Sequence, residues 1–168
     1  GVVEQVGSEV TYVKPGDHVI TCLSVFCGHC EYCRTGRPFS CENPEVDRGE
    51  EEEPRLSDNG SHINQWFSLG SFAEQMLVHE HALVKIRKDM PLDRAALIGC
   101  GVTTGFGAVI NTADIEVGST VAVIGCGGVG LSCINGAAIA GAGRIIAVDI
   151  KGSKLNLAKH FGATDVVN

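Results

Sequence analysis

Apolar and polar residues alternate through residues 1–26, the pattern of half-buried strands, with Pro15-Gly16-Asp17 as a turn between the run ending at Val13 and the one starting at His18-Val19-Ile20. This predicts a hairpin-rich β region. Residues 42–65 are polar and turn-rich, and their acidic run from Glu50 to Glu53 suits a solvated loop better than a binding site. Strand-like patterning returns over 70–87 through Phe72, Met76-Leu77-Val78 and Leu83-Val84. After Pro91 the character changes. Leu92 to Ile98 suit a short helix, and Cys100 to Val109 are small and Gly-rich. From Thr120 the order is a strand at Val121–Ile124, a Gly turn, a small-residue helix to about Ala140, a strand at Ile145–Val148, a helix over about Lys154–Phe161 opened by Ser153 and closed by Gly162, and a last strand near Val166. That alternation predicts a parallel βαβαβ arrangement, with a domain boundary near residue 100.

Composition narrows the classes. Of 168 residues, 44% are hydrophobic and 20% charged, which fits a folded globular chain rather than a disordered one. The formal charge is −7 and aromatics are 5%, so nucleic acid is excluded as a partner for want of basic residues to meet phosphates. No run reaches the ~20 uninterrupted apolar residues of a membrane span, and residues 1–20 carry no signal-peptide pattern; a cytoplasmic chain without a membrane partner is expected. The 22 glycines, about twice the usual ~7% share, predict frequent sharp turns or close backbone approaches. Both termini, at Val2-Val3 and at Thr164-Asp165-Val166-Val167, read as strands met in mid-sheet, so an internal segment of a longer protein is expected.

Four of the eight cysteines, Cys27, Cys30, Cys33 and Cys41, form C-x2-C-x2-C-x7-C. Two tight turns and one longer loop bring four thiolates together cheaply, which is what a tetrahedral zinc requires. All four positions are Cys, leaving no open coordination place, so the site is expected to hold the loop rather than react. Disulfides are disfavoured without a mark of secretion. An iron–sulfur cluster can use similar spacings, but a single isolated cluster and this fold favour zinc. His29, between two ligands, reads as a solvated loop residue; His62 and His160 read as solvated, and His79 and His81, two apart, as surface positions on one strand face.

Gly125-Cys126-Gly127-Gly128-Val129-Gly130 is G-x-G-x-x-G between a strand and a helix, and Asp149 closes the next strand 24 positions after Gly125. In a dinucleotide site Gly125 makes the tight turn, Gly127 lets the backbone approach the pyrophosphate, and Gly130 lets helix and strand pack closely. The helix N-terminus offers N–H groups and positive dipole to the phosphates. Asp149 is expected to accept from the adenosine ribose hydroxyls and to repel a 2′-phosphate, favouring NAD over NADP, an inference that nearby Lys151 and Lys154 weaken. Cys126 and Cys133 read as small buried apolar residues.

With both motifs in order, the chain resembles the zinc-containing medium-chain alcohol dehydrogenases over essentially all 168 residues. Gly1-Val2-Val3-Glu4 with Pro15-Gly16-Asp17-His18-Val19 is similar to that family's catalytic-domain core, and Gly99-Cys100-Gly101-Val102-Thr103-Thr104-Gly105 to its junction with the coenzyme domain. The resemblance implies an α/β chain: the C-terminal part of a GroES-like β-rich catalytic domain over 1–100, with a structural zinc lobe at 27–41, then the first half of a Rossmann doubly wound parallel sheet over 101–168. It implies Cys100 as the third ligand of a catalytic zinc, and Thr104, Gly125, Gly127, Gly128, Val129, Gly130, Asp149 and Lys154 as coenzyme-binding residues, with Thr104 and Val129 against the nicotinamide.

The implied activity is hydride transfer between a primary or secondary alcohol, or the aldehyde or ketone, and NAD. The implied assembly is a homodimer or homotetramer of the full-length protein. The first catalytic Cys and a Gly-His-Glu carrying the second ligand are expected before Gly1, so the 168-residue chain alone is expected to be inactive. Thr103-Thr104 also resembles the glutathione-dependent formaldehyde branch, whereas Glu45 stands where that branch resembles an Arg site, so a general alcohol dehydrogenase is preferred. Other readings are a non-catalytic zinc- and dinucleotide-binding module and, last, a zinc-free quinone reductase relative.

Overall fold

The computed structural model describes residues 1–46, 52, 55–63 and 65–168. Of the acidic run, Glu50, Glu51 and Glu53 lie outside the described residues and Glu52 is exposed. The chain divides into two compact units, Gly1–Ala96 and Leu97–Asn168.

In the first unit, β1 (His18–Thr21) follows the turn that the sequence predicts: Asp17 N–H donates to the Lys14 carbonyl at 3.0 Å across Pro15-Gly16, and Gly16 takes a φ of +83°, which glycine adopts without strain. The partner of β1 differs from the expectation. The run ending at Val13 forms no strand. Instead β1 pairs antiparallel with a distant strand, with His18 opposite Ile86 and Thr21 opposite Leu83. The reason lies in Asp17, which is 2% exposed: its carboxylate accepts from Lys85 Nζ at 2.7 Å and from Lys14 N–H at 3.1 Å. A buried carboxylate must be paired, and Lys85 is the cation that pairs it. Lys85 first, then the Lys14 N–H and the charges of Lys85 and Lys14, hold the acid below its usual range against the opposing effect of burial.

The cysteine stretch forms α1 (Glu31–Arg34), and β2 (Leu56–Asp58) pairs with β3 (Ser61–Ile63) as a hairpin. The turn is Asn59-Gly60, both at positive φ (47° and 82°), as a two-residue hairpin turn requires. Expected strand character over 70–87 shrinks to β4 (Leu83–Ile86), and Phe72 is fully exposed.

The helix expected to end near Ile98 continues. Leu92–Thr112 is one helical run of 21 residues containing α2 (Leu92–Ala95), α3 (Thr103–Gly107) and two π-turn segments, Ile98–Val102 and Ala108–Thr112. The π turns are marked by Val102 N–H on the Leu97 carbonyl and Ala113 N–H on that of Ala108. This run is long and apolar enough to cross a membrane by length and composition. In this structure its Gly105 is buried against α4 (Gly128–Ile139): a Cβ there would stand 2.4 Å from Ser132 Cβ and 2.6 Å from the Val129 carbonyl oxygen.

The second unit continues with β5 (Thr120–Ile124), α4, β6 (Arg144–Val148), α5 (Gly152–His160) and β7 (Asp165–Val167). The three strands are parallel in the order β5-β6-β7. Val123, Ile134, Ala137, Ile145, Ala147, Leu155 and Ala158 form the core between strands and helices. Helix α5 starts one residue before Ser153, with Lys151 at the cap position, because the Asp149 carboxylate takes the Lys151 N–H. It ends before Gly162, whose φ of +116° suits the exit. Arg144 holds Asp165 with two bonds of 2.9 and 3.1 Å, and Thr164 Oγ1 adds a third at 2.8 Å.

Two outcomes test this packing. Gly105→Ala should cost about 1–3 kcal/mol in urea unfolding, the usual penalty of overpacking a close contact. The Asp165 carboxyl, lowered to about 2 chiefly by Arg144, should show that midpoint by carboxyl NMR. Its folded value lies below the ~3.9 of an unfolded chain, so its contribution to stability is present above about pH 4 and lost as pH falls through about 2. Arg144→Gln should move the midpoint back toward ~3.9.

Candidate metal centre and nucleotide turn

Cys27 precedes Gly28, whose φ of +86° reverses the chain, and Cys30 caps the first turn of α1. Cys33 lies three residues on, so Cys30 and Cys33 share one face of that turn. Cys41 returns after a 3-10 turn over Pro38–Ser40. The four Sγ atoms all lie within 4.8 Å of one another, with separations of 3.4 Å for Cys30–Cys33 and 3.9 Å for both Cys27–Cys33 and Cys30–Cys41. A zinc with Zn–S of about 2.3 Å holds its sulfurs about 3.8 Å apart. The spacing therefore matches a tetrahedral metal cage, and is far too long for a disulfide at ~2.05 Å.

Backbone groups support the cage. His29 and Cys30 N–H donate to Cys27 Sγ at 3.4 and 3.3 Å, and Cys27 N–H donates to Cys41 Sγ at 3.4 Å. Burial raises the Cys27 thiol, but the His29 and Cys30 N–H groups, with Asn43 and Cys30, bring it down to about 6. Burial and the neighbouring sulfurs push Cys33 up to about 11 against the Gly28 N–H. Crowding of four thiolates is thus the cost that a dication offsets. His29 is not a fifth donor; its Nε2 faces the Glu45 carboxylate at 3.1 Å on an exposed surface.

The expectation for His79 and His81 is corrected. They sit beside and within a 3-10 turn, Glu80–Ala82, rather than on a strand face, and both are half-buried. His81 Nδ1 donates to the Phe26 carbonyl at 2.7 Å, and its ring stacks on Phe26 at 4.8 Å. Phe26 immediately precedes Cys27, so His81 anchors the root of the cysteine lobe. No spacing rule marks a residue 55 positions away as that anchor. His79 Nδ1 accepts from His81 N–H at 3.1 Å; burial first, then the charge of His81, lowers its pKa.

In the second unit the glycines separate by role. Gly125 takes a φ of +92°, and a Cβ on Gly130 would stand 1.8 Å from the Gly125 carbonyl oxygen, so no other residue fits there. At Gly127 and Gly128 a Cβ would meet nothing within 4 Å, leaving room for a phosphate at the start of α4. Asp149, its side chain 6% exposed, accepts from Cys126 N–H at 2.8 Å and Lys151 N–H at 2.9 Å, with Lys154 Nζ at 3.7 Å. Those N–H groups, Cys126 first, hold its carboxyl below the usual range, so it is ionised at neutral pH. The structure brings Gly125–Gly130, Asp149 and Lys154 together. Cys126 is 1% exposed and Cys133 half-buried, and burial raises both thiols. Cys100 is an exposed thiol in the first π turn, outside the four-sulfur cluster, and Thr104 is exposed one turn further on. Val129 is also exposed.

Comparison with known proteins places these features. The profile described as alcohol dehydrogenase GroES-like domain matches residues 1–88. S-(hydroxymethyl)glutathione dehydrogenase of Escherichia coli O157:H7 is 45% identical over 172 residues, covering 100% of this chain and 47% of the relative. Alcohol dehydrogenase class-3 of Oryza sativa subsp. japonica is 43% identical over 173 residues, covering 100% and 45%. Among solved structures, benzyl alcohol dehydrogenase from Acinetobacter calcoaceticus aligns with a TM-score of 0.83 at 39% identity, covering 100% of this chain and 46% of that one. An alcohol dehydrogenase zinc-binding domain protein from Burkholderia ambifaria aligns at 0.87 and 38%, covering 100% and 47%. The chain spans just under half the length of these relatives, and its α/β fold includes the GroES-like alcohol dehydrogenase domain. Matched by that profile over more than half its length, the chain belongs to the alcohol dehydrogenase GroES-like domain family.

Proposed function

We propose that this chain is part of a zinc-dependent alcohol dehydrogenase that exchanges a hydride between a primary or secondary alcohol, or the matching aldehyde or ketone, and NAD. The observation that carries the reading is the pairing, in one chain with alcohol dehydrogenase relatives, of a four-sulfur cage at zinc spacing and a glycine turn backed by an ionised aspartate. Residues 1–100 are read as catalytic-domain sequence and 101–168 as the first half of a Rossmann doubly wound sheet, to which the parallel order β5-β6-β7 lends support.

Each residue has a role in this reading. Cys27, Cys30, Cys33 and Cys41 hold a structural zinc, four thiolates filling its tetrahedron. Cys100 is one ligand of a catalytic zinc, an exposed thiol in a π turn, a helix distortion frequent at functional sites. The Gly105 contact brings α3 against the Val129 carbonyl, which supports reading Thr104 and Val129 as neighbours of the nicotinamide. Gly125, Gly127, Gly128 and Gly130 shape the turn that receives the pyrophosphate, and the N-terminal N–H groups of α4 meet its charge. Asp149 and Lys154 hold the adenosine ribose, and the Asp149 charge disfavours a 2′-phosphate. When bound, the catalytic zinc supplies Lewis acidity toward an alcohol oxygen and the nicotinamide supplies the hydride acceptor. The assembly is a homodimer or homotetramer of the full-length protein.

A second reading, the glutathione-linked branch, is favoured by the names of the curated relatives. Against it stands Glu45, whose carboxylate, bonded to His29 and Asn43, would repel an anionic substrate near the cysteine lobe.

The test is metal content and turnover of the full-length protein. Two zincs per chain and NAD reduction with ethanol or benzyl alcohol are expected, and Cys33→Ser should leave one zinc per chain. One zinc in the unaltered protein with no alcohol turnover would contradict the dehydrogenase reading in favour of a non-catalytic module. A kcat/KM for S-(hydroxymethyl)glutathione more than about tenfold above that for benzyl alcohol would establish the second reading, since tenfold corresponds to one well-made contact.

A further inference from the structure

The glycine turn has a structural difficulty built into it. Gly127 and Gly128 have no side chains to fix them and nothing packed where a Cβ would stand; their carbonyls accept from α4, Gly127 from Leu131 N–H at 2.8 Å and Gly128 from Ser132 Oγ at 2.9 Å, and the rest of the turn is held from its two ends. One end is the contact of Gly130 with the Gly125 carbonyl. The other is Cys126, and that residue is pinned on both sides. Its thiol is buried against the end of β6, Sγ lying 3.7 Å from the Val148 carbonyl, and its N–H donates to Asp149 Oδ2 at 2.8 Å. The second oxygen of the same carboxylate, Oδ1, takes the Lys151 N–H at 2.9 Å, immediately before α5.

We propose that Asp149 is a positioning residue for the phosphate-binding turn as well as a ribose acceptor, its one carboxylate clamping the β5–α4 turn to the start of α5. The proposal rests on the coenzyme reading above and deepens it. A carboxylate has about four lone-pair sites, so two backbone N–H groups, with Lys154 Nζ 3.7 Å from Oδ2, leave capacity for a ribose hydroxyl. The bonds to Cys126 and Lys151 are charge-assisted; the Cys126 bond is partly buried and the Lys151 bond lies at the surface, so the first is the costlier to lose. Gly125 N–H stays on the Val148 carbonyl at 2.8 Å, so removing the carboxylate frees the Cys126 N–H and loosens the turn beyond Gly125 even when no ribose is present. A residue that only gripped ribose would leave the turn, and the binding of a ribose-free phosphate ligand, unchanged.

The full-length protein and its Asp149→Ala and Asp149→Asn variants separate these cases. Amide hydrogen exchange is followed without coenzyme at Cys126 and Lys151, with Ile146 in the β5–β6–β7 sheet as the control for global unfolding. Affinities for ADP-ribose and for inorganic pyrophosphate are measured alongside. The clamp predicts exchange at Cys126 and Lys151 at least about tenfold faster in Asp149→Ala, with Ile146 unchanged, because a charged hydrogen bond is lost. Asp149→Asn, which can serve one of the two donors, should give a smaller rise. Pyrophosphate binding should weaken severalfold together with that of ADP-ribose.

Exchange at Cys126 within twofold of the unaltered protein in both variants, with only ADP-ribose binding weakened, would overturn the clamp and leave Asp149 a ribose acceptor alone. Failure of the unaltered protein to bind ADP-ribose would overturn the coenzyme reading instead, while the exchange rates would still decide the clamp. If Asp149→Ala fails to fold, as Ile146 exchange reports, the near-isosteric Asp149→Asn carries the same comparison.

Discussion

Four sulfur atoms from a fifteen-residue stretch lie close enough to share one metal, and this crowding governs the local architecture of the first unit. Burial raises both Cys27 and Cys33, and their opposed shifts follow from hydrogen bonding: N–H groups, Asn43 and Cys30 lower Cys27, whereas the three neighbouring sulfurs raise Cys33. A glycine at positive φ, a single turn of helix and a 3-10 turn are each too short to be stable alone; what justifies their sequence is the placement of a sulfur at the end of each. The sulfurs gather at metal spacing although none of the four cysteines is fully buried.

The second unit meets a different constraint with a similar economy. There the backbone comes close to its own helix, and side chains are absent rather than added. Gly105 and Gly130 occupy contacts that a methyl group would close, while Gly127 and Gly128 border open space. Steric absence is what these positions contribute, and a buried carboxylate supplies the fixed charge that keeps so bare a turn in shape. The two units thus hold a four-sulfur cage and a glycine turn, each built from a short local segment.

Local construction explains what can be read from the sequence. C-x2-C-x2-C-x7-C brings its sulfurs together by chain closure alone, and G-x-G-x-x-G between a strand and a helix carries its own geometry, so spacing is sufficient for both. The parallel strands at Thr120–Ile124, Arg144–Val148 and Asp165–Val167 are legible because each is a short apolar run bounded by turn residues. What spacing does not encode is the distant partner. Lys85 pairing with Asp17, His81 anchoring Phe26, and Asp149 taking the Cys126 N–H join residues separated by tens of positions. The run from Leu92 to Thr112 reads as a shorter helix because its glycines suggest an ending, whereas packing against α4 keeps the helix going. Asn59-Gly60 does carry a local hairpin signal, which the surrounding polar residues obscure.

The cysteine lobe has its proposed role only if the four sulfurs bind one metal together. Zinc-edge X-ray absorption of the 168-residue chain, loaded with one equivalent of zinc, measures that directly. Four sulfur neighbours at about 2.3 Å and no nitrogen or oxygen in the coordination shell are the predicted result. A shell with two or more nitrogen or oxygen neighbours, or a chain that releases its zinc on buffer exchange, would contradict it.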